Sequence, residues 1–149
     1  ASVLGATWDL ACRIGQAARR GKRMGAVFML GDSSNVLEGA RQLVLNPLHG
    51  HCDPERMITN PATHDMLMEL AKLDGAFVVR GDGFIQTAGT FLESGSAEIE
   101  PLQGLGARHV TAAAVTARTR SIAIVVSATD GNVRVFSEGA TVMQLDPEG

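Results

Sequence analysis

The sequence has little of what marks secreted, membrane-spanning or nucleic-acid-binding proteins. Its 149 residues include only two cysteines, Cys12 and Cys52, which form no CxxC pair and no disulfide framework. No apolar run approaches the roughly 20 residues that cross a bilayer, and no secretory signal is visible. A net charge of −3 argues against general binding to nucleic acids or to membrane surfaces. These absences predict a reduced, cytoplasmic protein.

The chain does contain enough apolar residues to form a folded core. Hydrophobic residues make up 45% of the sequence and charged residues 19%, a balance typical of globular proteins. A chain of this length is expected to form one domain over residues 1–149 and to bury roughly 70% of its unfolded surface. No repeat, linker or low-complexity tract divides it. It begins at Ala1 rather than at a methionine, so we expect a domain cut from a longer protein.

The first half of the chain alternates helical and strand patterns. Apolar residues recur at helical spacing from Leu4 to Arg20. The continuous apolar run from Gly25 to Leu30 is typical of a buried strand. A short helix is expected near Asn35 to Leu43, followed by a loop around Pro47. A further helix is expected to start at Asn60-Pro61 and to end near Lys72. Its expected buried side chains are Met66, Leu67, Leu70 and Leu73.

The second half predicts a hairpin, a helix and a strand meander. Two apolar runs, Ala76 to Val79 and Phe84 to Ala88, flank a Gly-Asp-Gly turn, which indicates a β-hairpin. The remaining expected elements are a helix from about Ala107 to Arg118 and strands from Ser121 to Ser127, Val133 to Phe136 and Thr141 to Leu145. Together these elements predict a single α/β domain with a central mixed β-sheet flanked by helices.

Two clusters of polar residues admit alternative interpretations. The sequence HGHCD, from His49 to Asp53, contains zinc-ligand types, but no second group of ligands with recognisable spacing follows. A polar loop is therefore the favoured interpretation. The basic run RRGKR, from Arg19 to Arg23, is interpreted as a solvated helix end, with contact to a polyanion as the alternative.

The tripeptide Asp74-Gly75-Ala76 is the first candidate site, between a helix end and a strand. A glycine can let the backbone approach a ligand closely, and a carboxylate can hold a divalent cation or accept a proton. The alternative is a helix-to-strand turn, in which Gly75 caps the helix and Asp74 is merely solvated.

The second candidate site is the helix start after Gly106, where Arg108 and His109 occupy the first turn. Free backbone N–H groups at a helix N-terminus bind phosphate oxygens, and the helix dipole is positive there. Arg108 supplies a fork of donors, and His109 can donate as well. Two basic residues oppose the dipole unless an anion binds, which favours a polyanion site. The alternative is an ordinary helix start with two exposed basic residues.

A third candidate lies where Ser127 and Thr129 end a buried strand beside a turn. Residues at such an edge often reach a ligand. The alternative is that the serine only caps the turn.

These segments, taken together, resemble the diadenylate cyclase family, and in particular the N-terminal nucleotidyltransferase domain of the DNA-integrity scanning protein. The resemblance rests on LDGAFVVRGDGFIQTAGTFL (73–92), GLGARH (104–109) and IAIVVSATDGNVRVF (122–136), in that order and spacing. The upstream segments GKRMGAVFMLGD (21–32) and RQLVLNP (41–47) are also similar to some members. The resemblance covers the chain from about Arg19 to Leu145.

The resemblance implies a fold, a reaction and an assembly. Members of the family condense two ATP molecules into cyclic di-AMP and two pyrophosphates, with Mg²⁺ or Mn²⁺ as the divalent cation. Each ATP attacks the other, so two sites must face one another in a homodimer or in a higher oligomer built of such dimers. From the net charge and the lack of a long apolar run, we expect no nucleic acid bound by this domain and no membrane segment in this chain.

The resemblance also implies roles for individual residues. Asp74 would lie by the attacking hydroxyl and the metal, and Arg108 and His109 would hold the triphosphate. The remaining nucleotide-binding positions implied are Gly75, Ala76, Gly106, Ala107, Thr111 and Ser127.

The sequence departs from the family pattern at a few of these positions. Val110 stands where many members have a third cation, and Ala107 where threonine is frequent. Ala128 and Thr129 follow the strand-end serine, where members usually carry glutamates that serve the metal. An alternative function is therefore a cyclase-like domain that binds ATP or cyclic di-AMP without turnover, as a sensor or assembly module.

Overall fold

The computed structural model describes residues 2–22, 24–94 and 105–148. Arg23 of the basic run and Gly104 of the glycine-rich turn lie outside the described residues. The helices are α1 (Val3–Arg19), α2 (Ser33–Val36), α3 (His64–Leu70) and α4 (Ala107–Arg118), with 3-10 turns at Asp53–Arg56 and Pro61–Thr63. The strands are β1 (Ala26–Leu30), β2 (Arg41–Gln42), β3 (Ala76–Val79), β4 (Ile85–Phe91), β5 (Ile122–Val126), β6 (Val133–Ser137) and β7 (Ala140–Leu145).

The strands form one seven-stranded mixed sheet in the order β2-β4-β3-β1-β5-β6-β7. Strands β1 and β3 run parallel, with Phe28 beside Phe77, and their rings stack with centroids 4.7 Å apart. Every other neighbouring pair in the sheet is antiparallel. The expected hairpin is the β3–β4 pair, and the expected antiparallel meander is β5-β6-β7. Both predictions are confirmed.

The sheet separates two apolar clusters, which makes the domain three layers thick. One cluster joins α1 and α3 to the sheet and includes Leu10, Ile14 and Leu67, all fully buried. The other joins α4 to the opposite face and includes Ala112 and Val115. All five residues of β1 are buried, because helices cover both faces of this central strand. The predicted α/β fold with a flanked mixed sheet is confirmed.

Helix α4 has its predicted bounds, whereas the segment after β1 differs from the helix predicted there. The helix expected near residues 35–43 is only the four-residue α2. Gly39 adopts a left-handed φ of +75°, and Arg41 of the edge strand β2 pairs with Phe91 of β4. Long-range pairing therefore replaces the expected helix with a short strand.

The helix after Pro61 begins as predicted but ends early. The Asn60 side chain accepts a hydrogen bond from the Ala62 N–H, which is the expected N-cap. After a 3-10 turn, α3 ends at Leu70 rather than near residue 72. Of its expected buried side chains only Leu67 is buried, and Met66, Leu70 and Leu73 are half-buried. Within the described ranges, no helix combines the length and the apolar character needed to cross a bilayer.

Candidate functional site

A cavity of about 270 Å³ brings most of the predicted site residues together. It opens where α4 begins, beside the ends of three neighbouring strands. Its lining contains Asp74, Gly75, Gly106, Ala107, Arg108, His109, Val126, Ser127, Ala128 and Thr129. The three candidate segments, separated by up to 53 positions in the chain, therefore form one site (Asp74 to Ser127).

A second cavity of about 200 Å³ adjoins the first and is mainly apolar. The two cavities share four lining residues, Asp74, Gly75, Ala107 and Arg108. Val27, Phe91 and Leu92 supply apolar side chains to the second cavity. The two remaining candidates, Ala76 and Thr111, line this second cavity rather than the first.

The strand register explains why these residues converge. Ala26 at the start of β1 pairs with Val126 at the end of β5, because the two strands are antiparallel. Since β1 and β3 are parallel, with Phe28 beside Phe77, the start of β3 lies at the same edge. Asp74 and Ser127, just beyond these strands, are thus placed on either side of β1. The N-terminus of α4 covers the gap between them.

Gly75 is required by a close approach between backbones. Its φ is +100°, a left-handed conformation that favours glycine. A Cβ atom at this position would lie 2.6 Å from the backbone nitrogen of Thr90 in β4. The glycine does not cap α3, since Ala71 occupies the C-cap position. The alternative interpretation of Gly75 as a helix cap is therefore wrong, and the exposed Asp74 is held at the rim of both cavities.

Arg108 lies across the backbone at the start of β1. A Cβ atom on Gly25 would stand 2.9 Å from the Arg108 Cζ atom, so only glycine leaves room for this placement. The ion pairs found in the described ranges do not include Arg108. The N-cap residue Gly106 has no side chain to cap α4, and no acidic residue occupies its first turn. Among the described residues, no acidic side chain thus neutralises the positive potential at this helix start, which suits an anionic ligand.

His109 is neutral rather than cationic at neutral pH. It is 4% exposed, and its ring packs against Phe136 with centroids 6.2 Å apart. Burial, and after it the positive charge of Arg134, lowers the pKa of His109 to about 4. The expectation of two exposed basic residues at this helix start is wrong for His109. Its contribution to the site is a ring nitrogen, not a charge.

Ser127 fits both interpretations of the strand end. Its Oγ accepts hydrogen bonds from the N–H groups of Thr129 at 3.3 Å and Asp130 at 3.5 Å, so it caps the turn. It also lines the larger cavity. Burial opposes ionisation of Asp130, yet hydrogen bonds from Asn132 and Ser127 and the charges of Arg134 and Arg19 leave the pKa of its carboxyl below the ordinary value.

Arg19 is exposed, and its guanidinium is hydrogen-bonded to this turn. Its Nε donates to the Asp130 carbonyl at 2.8 Å, and one of its Nη atoms donates to Asn132 Oδ1 at 2.7 Å. It also pairs with Asp146 near the end of the chain. Arg19, Arg20 and Lys22 are all exposed, as expected for a solvated helix end, but Arg19 also anchors this turn through its hydrogen bonds.

The sequence reasoning missed Arg134, Gly25 and Arg19 as parts of the site. The signal for Arg134 was available, since it is a charged residue between two valines in the predicted strand from Val133 to Phe136. The other two give no such signal. Their roles depend on contacts with residues more than 80 positions away (Gly25 with Arg108, Arg19 with Asp130).

Asp74 is the carboxylate that lines both cavities. The described part of the chain holds no group of three or more metal-ligating side chains. One carboxylate nevertheless fits Mg²⁺ or Mn²⁺ in a nucleotide site, because Mg²⁺ is commonly held by one or two carboxylates together with substrate phosphates.

In the HGHCD segment the Cys52 thiol donates to Glu55 Oε1 at 3.0 Å, within a loop and a 3-10 turn.

Comparisons with known proteins agree on one family. Residues 13–141 match the family model described as DisA bacterial checkpoint controller nucleotide-binding. A protein named diadenylate cyclase from Methanocaldococcus jannaschii is 38% identical over 138 residues, which are 93% of this chain and 43% of that protein. One of the same name from Haloferax volcanii is 35% identical over 146 residues, 98% of this chain and 53% of that protein. The chain spans about half the length of these relatives.

Two solved structures share the fold. A double mutant of DacA from Staphylococcus aureus aligns with a TM-score of 0.65 and 18% identity, covering 97% of this chain and 89% of that one. A hypothetical membrane spanning protein from Bacillus cereus aligns with a TM-score of 0.57 and 22% identity, covering 86% of this chain and 57% of that one. At these identities the likeness concerns the fold alone.

Proposed function

The chain belongs to the diadenylate cyclase family, and on that premise we propose that it condenses two ATP molecules into cyclic di-AMP and two pyrophosphates. The observation that carries the proposal is the convergence of Asp74, Arg108, His109 and Ser127 on one cavity. In each half of the reaction a ribose 3′-hydroxyl attacks the α-phosphorus of the other ATP. A new phosphodiester bond forms, the α–β anhydride bond breaks, and pyrophosphate leaves with the charge.

The two cavities suit different parts of one nucleotide. The larger cavity offers the N-terminus of α4 and Arg108, which suit the triphosphate. The smaller one, lined by Val27, Phe91 and Leu92, suits the adenine ring. Asp74 lies on the boundary between them, where the ribose of the same nucleotide would join base to phosphates. Fixing both nucleotides in this way supplies the orientation that a bimolecular attack requires.

We further propose that Asp74 holds a divalent cation and accepts the proton of the attacking hydroxyl. Its side chain is exposed, so its carboxylate is free to meet a nucleotide and an ion. A bound Mg²⁺ or Mn²⁺ would neutralise charge on the phosphates and favour departure of the pyrophosphate. Arg108 would add positive charge at the same phosphates, where negative charge grows in the transition state.

The reaction requires two copies of the domain, so we propose a homodimer, or a higher oligomer of such dimers, with facing cavities. Apolar side chains near the cavities support this assembly. Leu43 and Phe91, which line the smaller cavity, are 47% and 43% exposed, and Leu45 nearby in sequence is 93% exposed. Burying such residues between two copies would contribute to association.

A domain that binds ATP or cyclic di-AMP without turnover is the second candidate. The observation that favours it is the turn after β5, where Ala128 and Thr129 line the larger cavity without a carboxylate. A site with Asp74 as its one carboxylate would bind the metal more weakly than a site with two. In that case the protein would act as a sensor or an assembly module.

Incubation of the protein with ATP and either Mg²⁺ or Mn²⁺ separates the two candidates. Cyclic di-AMP, identified by chromatography and mass, is the expected product. Its absence with both metals, at protein concentrations where dimers form, would contradict the enzyme and leave the binding module. In either case Arg108→Ala is expected to weaken ATP binding by about 1.5–3 kcal/mol, because a charged phosphate contact is lost.

A further inference from the structure

A buried arginine, Arg134, lies next to His109 of the larger cavity. Arg134 on β6 is 7% exposed and pairs in register with Val125, which faces α4. Burying a guanidinium is costly unless a charged partner compensates it. Yet none of the ion pairs among the described residues includes Arg134, although the charge of Asp130 is close enough to be affected by it. The position therefore calls for an explanation other than a salt bridge.

The contact that Arg134 makes is with the His109 ring. Its Nη1 atom lies 3.4 Å from Nε2 of His109. A guanidinium has only donors, so the ring nitrogen must accept. In a neutral imidazole one nitrogen accepts and the other carries the proton. The hydrogen bond therefore places the proton of His109 on Nδ1.

That Nδ1 atom is buried and has no hydrogen-bond partner among the described groups. A buried N–H without an acceptor is destabilising, so an acceptor supplied by a ligand is expected. The His109 side chain is only 4% exposed, and this residue lines the larger cavity. The unpartnered donor thus belongs to a residue of the cavity that the triphosphate would occupy.

We propose that Arg134 is a positioning residue, which holds His109 as the Nδ1–H tautomer so that this N–H donates to a phosphate oxygen of the nucleotide. The inference rests on the proposed function, since it assumes nucleotide phosphates in the larger cavity. It explains why an arginine is buried here although it takes part in none of the ion pairs of the described residues. The guanidinium orients a neutral donor and acts on the nucleotide through it.

The surroundings of His109 keep its ring neutral. The charged groups that influence it are Arg134 and Arg108, which disfavour protonation, and Asp130, which favours it. Phe136 packs against the ring from β6 and carries no charge. A neutral ring is required, because a protonated Nε2 is no longer an acceptor for Arg134.

The tautomer is directly measurable by ¹H–¹⁵N correlation of the histidine rings at pH 8, in the ligand-free protein. His64 is a matched internal reference, since its Nε2 lies 2.7 Å from the Ile58 carbonyl oxygen, which can only accept. The spectrum is expected to show the proton on Nε2 for His64 and on Nδ1 for His109. A proton on Nε2 of His109 would overturn the proposal.

Substitutions at Arg134 then test the cause. Arg134→Met should redistribute the His109 ring between its two tautomers, and Arg134→Lys, which keeps a donor-only cation, should restore the Nδ1–H form. Arg120→Met removes an exposed arginine near the end of α4 and should leave the His109 signals unchanged. Circular dichroism and thermal melting check folding. If the methionine variant does not fold, the lysine variant and the wild-type spectrum carry the test. An unchanged His109 pattern in a folded methionine variant would overturn the role of Arg134.

Binding of an ATP analogue, with a methylene bridge between the α- and β-phosphates, tests the purpose of the tautomer. Arg134→Met should weaken its binding about tenfold, as for a lost hydrogen bond to a charged group. In a His109→Gln background the same change should cost much less, because Arg134 acts through His109. Additive effects would contradict that route. A protein with the expected tautomer that binds no analogue would overturn the proposed function and the phosphate contact, and leave the Arg134–His109 relationship standing.

Discussion

Gly15 of helix α1 lies directly against Gly131 of the turn between β5 and β6. A Cβ atom on Gly15 would stand 2.3 Å from the Gly131 carbonyl oxygen, and one on Gly131 would stand 2.4 Å from the Gly15 carbonyl oxygen. Arg19, one turn further along α1, donates to the Asp130 carbonyl of the same turn. The helix therefore serves as a platform for the turn that carries Ser127 and the cavity wall.

Gly15→Ala is expected to destabilise the protein by about 1–3 kcal/mol and to raise the KM for ATP. Alanine favours a helix interior by about 1 kcal/mol over glycine, but here its Cβ meets backbone, which no rotamer change relieves. The turn must shift and take Ser127 with it. Urea unfolding and steady-state kinetics measure the two effects.

Gly5→Ala in the same helix is the control for that substitution. The close neighbour of its Cβ is the Ser2 hydroxyl, which caps α1 by accepting the Gly5 N–H, so some stability is lost here too, but the KM for ATP should stay at the wild-type value. Equal stability of the Gly15→Ala variant and the wild type would show that the turn does not rest on α1.

Gly25→Ala is expected to weaken ATP binding about tenfold with little loss of stability. Its Cβ would meet the Arg108 guanidinium, which is flexible and can move, but only by leaving its place across β1. Calorimetric titration with an ATP analogue measures the change. Gly81→Ala, where a Cβ meets open space, is the matched control. In an Arg108→Ala background Gly25→Ala should have no further effect on binding, and a full additional loss there would refute the contact.

The candidate site residues that could be predicted from the sequence are those recognisable from their immediate sequence neighbours. Four candidate residues belong to short local patterns, such as a carboxylate before a glycine or a basic helix start, and the structure brings them to one cavity: Asp74, Arg108, His109 and Ser127. Helix α4 was predicted with its observed bounds because alanine favours a helix and Gly106 precedes it. Local patterns of this kind need no knowledge of the tertiary structure.

Residues whose roles depend on tertiary contacts were not predictable in the same way. The expected helix near residues 35–43 gave way to a strand pairing between Arg41 and Phe91, 50 positions apart. The charge state of His109 depends on α4 lying over β6, which brings Arg134 to its ring. The residues next to His109 in the sequence therefore predict neither the burial of its ring nor its contact with Arg134.

Asp74→Asn is expected to abolish formation of cyclic di-AMP and to leave stability within about 0.5 kcal/mol of the wild type. The amide has the shape of the carboxyl group but neither accepts the hydroxyl proton nor neutralises a cation. Product chromatography after incubation with ATP and Mn²⁺ measures the effect. Asp65→Asn, which changes a carboxyl with 89% exposure on α3, should form product at the wild-type rate. Unchanged turnover in the Asp74 variant would refute the role given to Asp74.

The depressed pKa of His109 predicts a loss of stability as the pH falls from about 6.5 to 4. The folded protein keeps the ring neutral down to about pH 4, whereas the unfolded chain protonates it near its ordinary pKa of about 6.5. Between these values the unfolded state binds more protons, so the free energy of unfolding falls with pH. The contribution is fully present above pH 6.5 and amounts to at most about 3.4 kcal/mol.

Urea unfolding of the wild type and of His109→Gln, at intervals between pH 7 and pH 4, isolates this contribution. Carboxylates such as Asp130 and Asp146, whose pKa values lie below the ordinary range, also lower stability in acid, but they do so in both proteins. The difference in free energy of unfolding between the two proteins should therefore change only between about pH 6.5 and pH 4, where the two states of the wild type differ in protonation of His109. At pH 7 the variant lacks the ring and its packing against Phe136, and this offset stays constant with pH. Parallel curves for the two proteins from pH 6.5 to 4 would show that His109 is not held neutral by its surroundings.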